Sequence, residues 1–470
     1  MKKHLFSVWF GLIMIPSLAQ VKVSPATDSV DYKTLYRAYA PVVGPGENAV
    51  ARDVVFQKLT ADYWNDFRRF LKQNNFRPAT PFMLNVQGFF RADGHADLLL
   101  YQYMVNGQRP PASTETVFIS LLSAYLAEYP LPVRSSLIWT PFRIGSNLYV
   151  STPEPRKAPR GAGIIGDLAE ASRTTRPDTV KIIQFGGLDL DQVPPVIYRF
   201  TNAEEINLGT NYLTALPAKL TALPRLQRLN LMSNRLVDDS VFFSRNKSVR
   251  SINMQKNSLT RVPKTVRQNR RLESLWLGNN NLTQLGNNSF RGLRRLTDLN
   301  LYGAGLPRLP KSIGQVKRLK VLDLYYNHLT ALPKQLNRLK RLDQLALAYN
   351  DLRELPASMS KLRRLRTLFV HHNKLDNLPQ QFGKLANLHV LDLGYNELTV
   401  VPPVLSSLPA LEELDLNNNN LQEFPTVLLS IRRLKRVYLG SNPLFGREAM
   451  SSPYAPMIKQ LEANKTQVTY

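Results

Sequence analysis

Apolar positions fall into two regimes along the chain. From Val180 onward they return with a period of about 23 residues, in units beginning at Val180, Ala203, Leu226, Val249, Leu272, Leu296, Leu319, Leu342, Leu365, Leu388, Leu411 and Leu434. Every step is 23 residues except Leu272 to Leu296, which is 24. Each unit follows L-x-x-L-x-L-x-x-N-x-L-x-x-L-P, as in Leu319, Leu322, Leu324, Asn327, Leu329, Leu332 and Pro333. The L-x-L centre alternates with period two, which predicts a short strand with its leucines on one face. A single unit of this kind cannot bury its leucines, so stacking on neighbours must build the core. Before Val180 the pattern differs. Phe56, Leu59, Tyr63, Phe67 and Phe70 recur at helical spacing and predict a helix over 52–73. Phe118, Leu121, Leu122, Tyr125 and Leu126 mark a second helix. Between them, PFMLNVQGFFRADGHADLLLYQYMV predicts a β-hairpin turning at Asp93-Gly94, with further strands near Leu137–Trp139 and Asn147–Val150.

On these motifs, residues 180–447 resemble a bacterial, exported leucine-rich repeat protein of the short 23-residue "LP" subclass. The resemblance covers somewhat more than half of the chain. It implies an α/β solenoid, a horseshoe with a concave parallel β-sheet and short helical or irregular convex segments. The ninth-position asparagines (Asn211, Asn234, Asn257, Asn280, Asn327, Asn350, Asn373, Asn396, Asn419 and Asn442) turn inward after the strand. Their amides can satisfy backbone groups left unpaired at the turn, which makes them structural and not a binding site. Some units depart from the pattern: Leu188 and Ala304 stand at the asparagine position, and Gly286 replaces the proline of the 24-residue unit, with Phe290 following. Asp238-Asp239-Ser240 replaces leucine and proline in the unit at Leu226, which predicts an irregular convex segment there.

The domain reading is then a signal peptide at 1–19, a small α+β domain at 20–151, a Pro/Gly-rich linker at 152–179, twelve repeats at 180–447 and a C-terminal cap at 448–470, built as a short helix and a final strand. Lys2-Lys3, the apolar run Leu5 to Ile15 and Ser17-Leu18-Ala19 supply the three parts of the export signal. The run is too short to span a bilayer, and no later stretch is long or apolar enough. The chain has no cysteine, which excludes disulfides, thiol catalysis and cysteine-ligated zinc, and leaves no site for a lipid-anchored leader.

The formal charge of +26 points to acidic partners or surfaces. It is uneven: residues 20–178 carry a net +4 and residues 179–470 a net +20. Much of it falls just before the strands, in Arg270-Arg271, Arg294-Arg295, Lys317-Arg318, Lys340-Arg341, Arg363-Arg364 and Arg432-Arg433. Strands stack about 4.8 Å apart, so these pairs form a basic ladder along one sheet edge. It is either a solvated edge or a contact for an acidic glycan or envelope polyanion, and nucleic acid suits an exported chain least.

Ring side chains cluster on the opposite flank of the strands. Position seven or eight is aromatic or histidine in five consecutive units, at Tyr302, Tyr325, Tyr326, Tyr349, His371, His372 and Tyr395, and Trp276 and Phe369 add rings at position five. Asp298, Asp323, Asp343 and Asp392 flank them. Strand propensity alone favours tyrosine. Tyr and Trp on an exposed rigid sheet are also what interfaces use as anchors, and this is the reading taken here. The remaining motifs carry no chemistry. Gly161-Ala162-Gly163-Ile164-Ile165-Gly166 matches G-x-G-x-x-G, but EPRKAPR before it is no buried strand, so it reads as linker. No histidine set supplies the converging ligands of a metal site, and no cofactor is expected. Catalysis could sit only before the repeats, where Asp93 and His95 read as residues of a hairpin turn. The sequence thus predicts an exported, non-enzymatic protein that binds a protein or peptide on its concave face. The alternatives are a polyanion or glycan binder using the ladder, and an enzyme or adaptor activity in residues 20–151.

Overall fold

The structure is a computed structural model that describes residues 22–25, 54–91, 93–103, 109–131, 142–150, 161–445 and 454–470. The expected signal peptide and the strand near Leu137–Trp139 lie outside the described residues. The chain divides into two compact units, Met1–Pro155 and Arg156–Tyr470.

Among the described residues, the first unit is a four-stranded sheet with two helices. Strands β1 (Lys22–Pro25), β2 (Phe82–Phe90), β3 (Ala96–Tyr103) and β4 (Phe142–Val150) lie in the order β1-β3-β2-β4. β1 runs parallel to β3, and β2 runs antiparallel to both β3 and β4. The hairpin turns where the sequence places it. The Asp93 carboxylate accepts from the His95 N–H at 3.0 Å, and Gly94 takes the left-handed φ of 88° that the tight turn requires. Helices α1 (Val54–Gln73) and α2 (Ala112–Glu128) contribute Tyr63, Trp64, Phe67, Phe118, Leu122 and Tyr125 to one core with Phe82, Leu84 and Leu99. The buried phenols keep partners: Tyr63 donates to the Tyr129 carbonyl and Tyr125 to the Tyr63 carbonyl.

The second unit is a solenoid built on a fourteen-stranded parallel sheet in strict chain order. Twelve strands, from β6 (Ile182–Gln184) to β17 (Arg436–Tyr438), come from the repeats, and each occupies positions three to five of its unit. Register is constant, so leucine faces leucine across neighbours, as in Leu322 with Leu345 and Leu368 with Leu391. The core is one continuous column of fully buried leucines. On the other side of each regular coil a five-residue 3-10 helix begins after proline, as in Lys334–Arg338 after Pro333 and Gln380–Lys384 after Pro379. Proline fixes φ near the value the turn needs, and its carbonyl accepts the first helical bond, from Leu336 to Pro333 at 2.9 Å.

The asparagines join coil to coil. Asn350 is buried; its Nδ2 donates to the carbonyls of Leu324, Leu347 and Ala348 at 3.0, 2.9 and 3.2 Å. Its Oδ1 accepts from the Leu329 N–H at 3.0 Å. Ala304 cannot accept in this way, and the Leu282 N–H bonds instead to the Ala304 carbonyl at 2.8 Å.

Both ends of the leucine column are closed. At the C-terminus a helix over Ala455–Ala463 packs Ile458 and Leu461 onto the core, and β18 (Gln467–Thr469) pairs with β17. The N-terminal end corrects the linker reading. Residues 161–179 are an ordered half-coil: β5 (Ile164–Ile165) pairs with β6, and Asp167 caps the short helix α3 (Leu168–Arg173) by accepting from the Glu170 N–H at 2.7 Å. Ile165 and Ala171 belong to the solenoid core. The glycines serve the backbone here: Gly163, at φ 73°, accepts the N–H groups of Lys181 and Ile182. The first repeat would otherwise expose Phe185, Ile197 and Phe200, so this segment acts as a lid.

Candidate functional site

Position eight of every repeat lies where the strand has ended and the chain must turn to deliver asparagine at position nine. The turn demands a left-handed backbone. Thr210, Ser233, Lys256, Asn279, Tyr326, Tyr349, His372, Tyr395, Asn418 and Ser441 all have φ between 51° and 57°, and Gly187 and Gly303 take the same sign. Small polar residues and glycine suit that conformation, and a large ring there is an outlier that costs of order 1–3 kcal/mol. Four consecutive coils carry one nonetheless.

Because the coils stack in register, the four rings form a column. Tyr326 and Tyr349 stack at 4.1 Å with planes 17° apart, Tyr349 and His372 at 3.9 Å and 14°, and His372 and Tyr395 at 3.9 Å and 16°. A second row at position seven lies against it. Tyr302 and Tyr325 are parallel at 6.0 Å, Tyr325 meets Tyr349 at 5.4 Å, and Tyr325 meets His371 edge-on at 5.3 Å. The Tyr325 hydroxyl hydrogen-bonds Nε2 of His371, whose Nδ1 stands 2.7 Å from the Asp392 carboxylate. Burial and the neighbouring phenols push the Tyr325 phenol well above its ordinary pKa, which keeps it neutral. None of these rings belongs to the leucine core. Tyr302, Tyr325, Tyr326, Tyr349, His371 and His372 are half-buried against one another, and Tyr395 at the end of the column is 49% exposed.

Seven of the nine ring residues expected from the sequence are thus brought together. Trp276 and Phe369 are not. Trp276, 39% exposed, donates its indole N–H to Asp298 at 2.9 Å, and Phe369 is half-buried without joining the column. Two of the aspartates that flank the rings also support the backbone. At position five, Asp323 and Asp392 accept the N–H two residues ahead, from Tyr325 at 3.0 Å and Gly394 at 3.1 Å. Asn207, Asn230, Asn253 and Asn300 make the same bond in earlier coils. These side chains hold the turn that presents the rings. Burial raises the Asp323 carboxyl above the usual carboxylate range despite its bonds to Tyr325 and Asn300.

The basic ladder lies at the other end of the strands. Its twelve cations are exposed, and among the described residues none lies within 4.0 Å of a carboxylate. Lys340 donates to the Lys361 carbonyl at 3.1 Å; partial burial and the charges of Lys361 and Arg363 lower its pKa. In the first unit, Asp93 and His95 close the hairpin turn, their side chains 3.1 Å apart. Among the described residues no helix is long and apolar enough to cross a membrane.

The family model described as leucine rich repeat matches residues 247–306, 363–421 and 387–444. No curated protein matches the chain. Among solved structures, a leucine-rich repeat protein of Leptospira interrogans is 26% identical, covering 62% of this chain and 84% of its own, with a TM-score of 0.45. An internalin of Listeria monocytogenes is 17% identical over 58% of this chain and 80% of its own, with a TM-score of 0.42. The ectodomain of a plant membrane receptor kinase from Arabidopsis thaliana, in complex with Casparian strip integrity factor 2, is 22% identical over 56% and 42%, with a TM-score of 0.38. Twelve coils in one register, an asparagine ladder joining them and a family model matching three stretches of the array make residues 180–445 an array of leucine-rich repeats.

Proposed function

We propose that the protein is an exported, non-enzymatic recognition protein that binds a protein or peptide partner on the concave side of its solenoid. Repeat solenoids commonly serve as binding scaffolds, because their stacked coils present an extended rigid surface. The observation that carries the reading is the column Tyr326–Tyr349–His372–Tyr395. Each ring sits in a left-handed position that glycine, asparagine, serine, threonine or lysine fills elsewhere in the same array. Strain retained over four coils in a row argues for selection on what the rings present. Stacked, half-buried rings are also already ordered, so a partner meets anchors that lose little freedom on binding. Export rests on the basic and apolar segments before Gln20. The test is a capture experiment from the host's envelope fraction, with wild type beside Tyr326→Asn/Tyr349→Asn. A partner retained by wild type and lost by the variant supports the site; a partner retained equally by both rejects it.

A second reading is favoured by the exposed, unpaired ladder cations: contact with an acidic polymer along the strand edge. Reversing Lys340, Arg341, Arg363 and Arg364 to glutamate should then abolish retention on a heparin column, and wild-type retention should fall steeply with salt. Unchanged retention would leave the ladder a solvated edge.

A further inference from the structure

Outside the sheet, beside the 3-10 helix Lys264–Gln268, an open surface depression of about 440 Å³, called the cavity below, is lined by Arg245, Lys264, Arg267, Gln268, Arg270 and Arg291. Five cations face it and no carboxylate does. Its origin lies in the two coils that break the repeat. In the 24-residue unit, Gly286 stands where proline starts the 3-10 helix of regular coils, and residues 287–292 form turns instead. Gly292, at φ 89°, comes so close that a Cβ would meet the Arg267 carbonyl oxygen at 3.3 Å. On the other side, the unit at Leu226 has only the short helix Asp238–Ser240, and Val241 bridges back to Leu216. The helix carrying Lys264 and Arg267 therefore lacks a regular neighbour on either side, and the gap is where the basic side chains converge. Arg267 is fixed in place, its Nε donating to the Lys264 carbonyl and another guanidinium nitrogen to the Asn288 carbonyl, both at 3.1 Å.

Like charges around one cavity repel, and nothing in its lining neutralises them. Guanidinium forks match the oxygens of phosphate and sulfate esters in pairs, which fits four arginines better than a diffuse attraction would. The depression is open to solvent and larger than one inorganic ion fills. We propose that this cavity binds a small ligand bearing more than one phosphate or sulfate group, such as a phosphorylated or sulfated sugar. The site is separate from the ring column. It sharpens the polyanion reading by placing recognition in a cavity instead of along the strand edge, and it shares only Arg270 with the ladder.

The experiment is calorimetric titration of the full chain with two probes, inositol hexakisphosphate and a heparin tetrasaccharide. Two variants accompany wild type: Arg245→Glu/Arg291→Glu in the cavity and Arg363→Glu/Arg364→Glu in the ladder. All four substituted side chains are exposed, and thermal unfolding checks that each variant keeps the fold. The cavity variant should weaken binding of at least one probe more than tenfold, and the ladder variant less than threefold; which probe responds identifies the ester. Equal losses in both variants would show diffuse attraction and overturn the cavity while leaving the ladder reading intact. Binding unchanged in the cavity variant, or no binding of either probe to wild type, would also overturn it.

Discussion

A tyrosine at position eight makes sense only once its backbone is known. The strand must end and deliver asparagine inward within two residues, so position eight is left-handed in every coil. The sequence shows that rings cluster at positions seven and eight, but not that position eight is strained, because φ comes from the turn and not from the side chain. The inward asparagines were legible because their spacing never varies; the aspartates at position five were not. Read from the sequence they are acids beside rings, whereas their role emerges from the asparagines that replace them in other coils. Asp323 provides a test. Burial raises its folded-state pKa, so the folded protein binds more protons than the unfolded chain just above the ordinary carboxylate value. Its cost is therefore absent below that value and develops as pH rises through the raised one. Asp323→Asn keeps the acceptor for the Tyr325 N–H, removes the charge and puts an amide where the carboxylate accepts from Asn300 at 2.7 Å, a change felt at both pH values. Relative to wild type it should gain stability between about pH 3.5 and pH 7, because the cost of the buried charge develops in wild type alone. Chemical denaturation at the two pH values measures this; a variant that loses more stability at pH 7 than near pH 3.5 would show that the carboxylate is needed as a charge.

At the scale of elements, the coil is legible because its period of 23 residues survives every substitution, whereas the terminal half-coil is hidden by having no such period. Residues 161–179 carry glycine and proline in the proportions of a linker, and their few apolar side chains do not repeat. What orders them is the open leucine layer they cover. A fragment of residues 156–470 should therefore unfold cooperatively, and one of residues 180–470 should be less stable. Losing Ile165, Leu168 and Ala171 and baring Phe185, Ile197 and Phe200 removes about 3 kcal/mol or more of apolar burial. The unfolding midpoint should fall by on the order of 5 °C. Equal midpoints for the two fragments would make residues 161–179 a bystander.

Across the whole molecule, three kinds of surface are set by one repeat. The strand starts carry the basic ladder, the strand ends carry the ring column, and the irregular coils leave a basic cavity on the far side. The first two follow from position in the repeat and could be read from the sequence. The cavity could not, since its side chains come from three coils and meet only because two of those coils lack the regular helix. The central claim concerns the rings. Thermal unfolding and affinity for the captured partner, measured on wild type and Tyr326→Asn/Tyr349→Asn, test it most directly. Asparagine relieves the left-handed backbone by about 1–2 kcal/mol at each position, while six ring contacts of Tyr326 and Tyr349, worth about 0.5–1.5 kcal/mol apiece, are lost, so stability should fall moderately. The account predicts that the variant still unfolds cooperatively, at a lower midpoint, and that below its transition binding is weakened by at least tenfold, or about 1.4 kcal/mol. A variant that unfolds early yet binds its partner as tightly as wild type would show that the tyrosines only pack the coils.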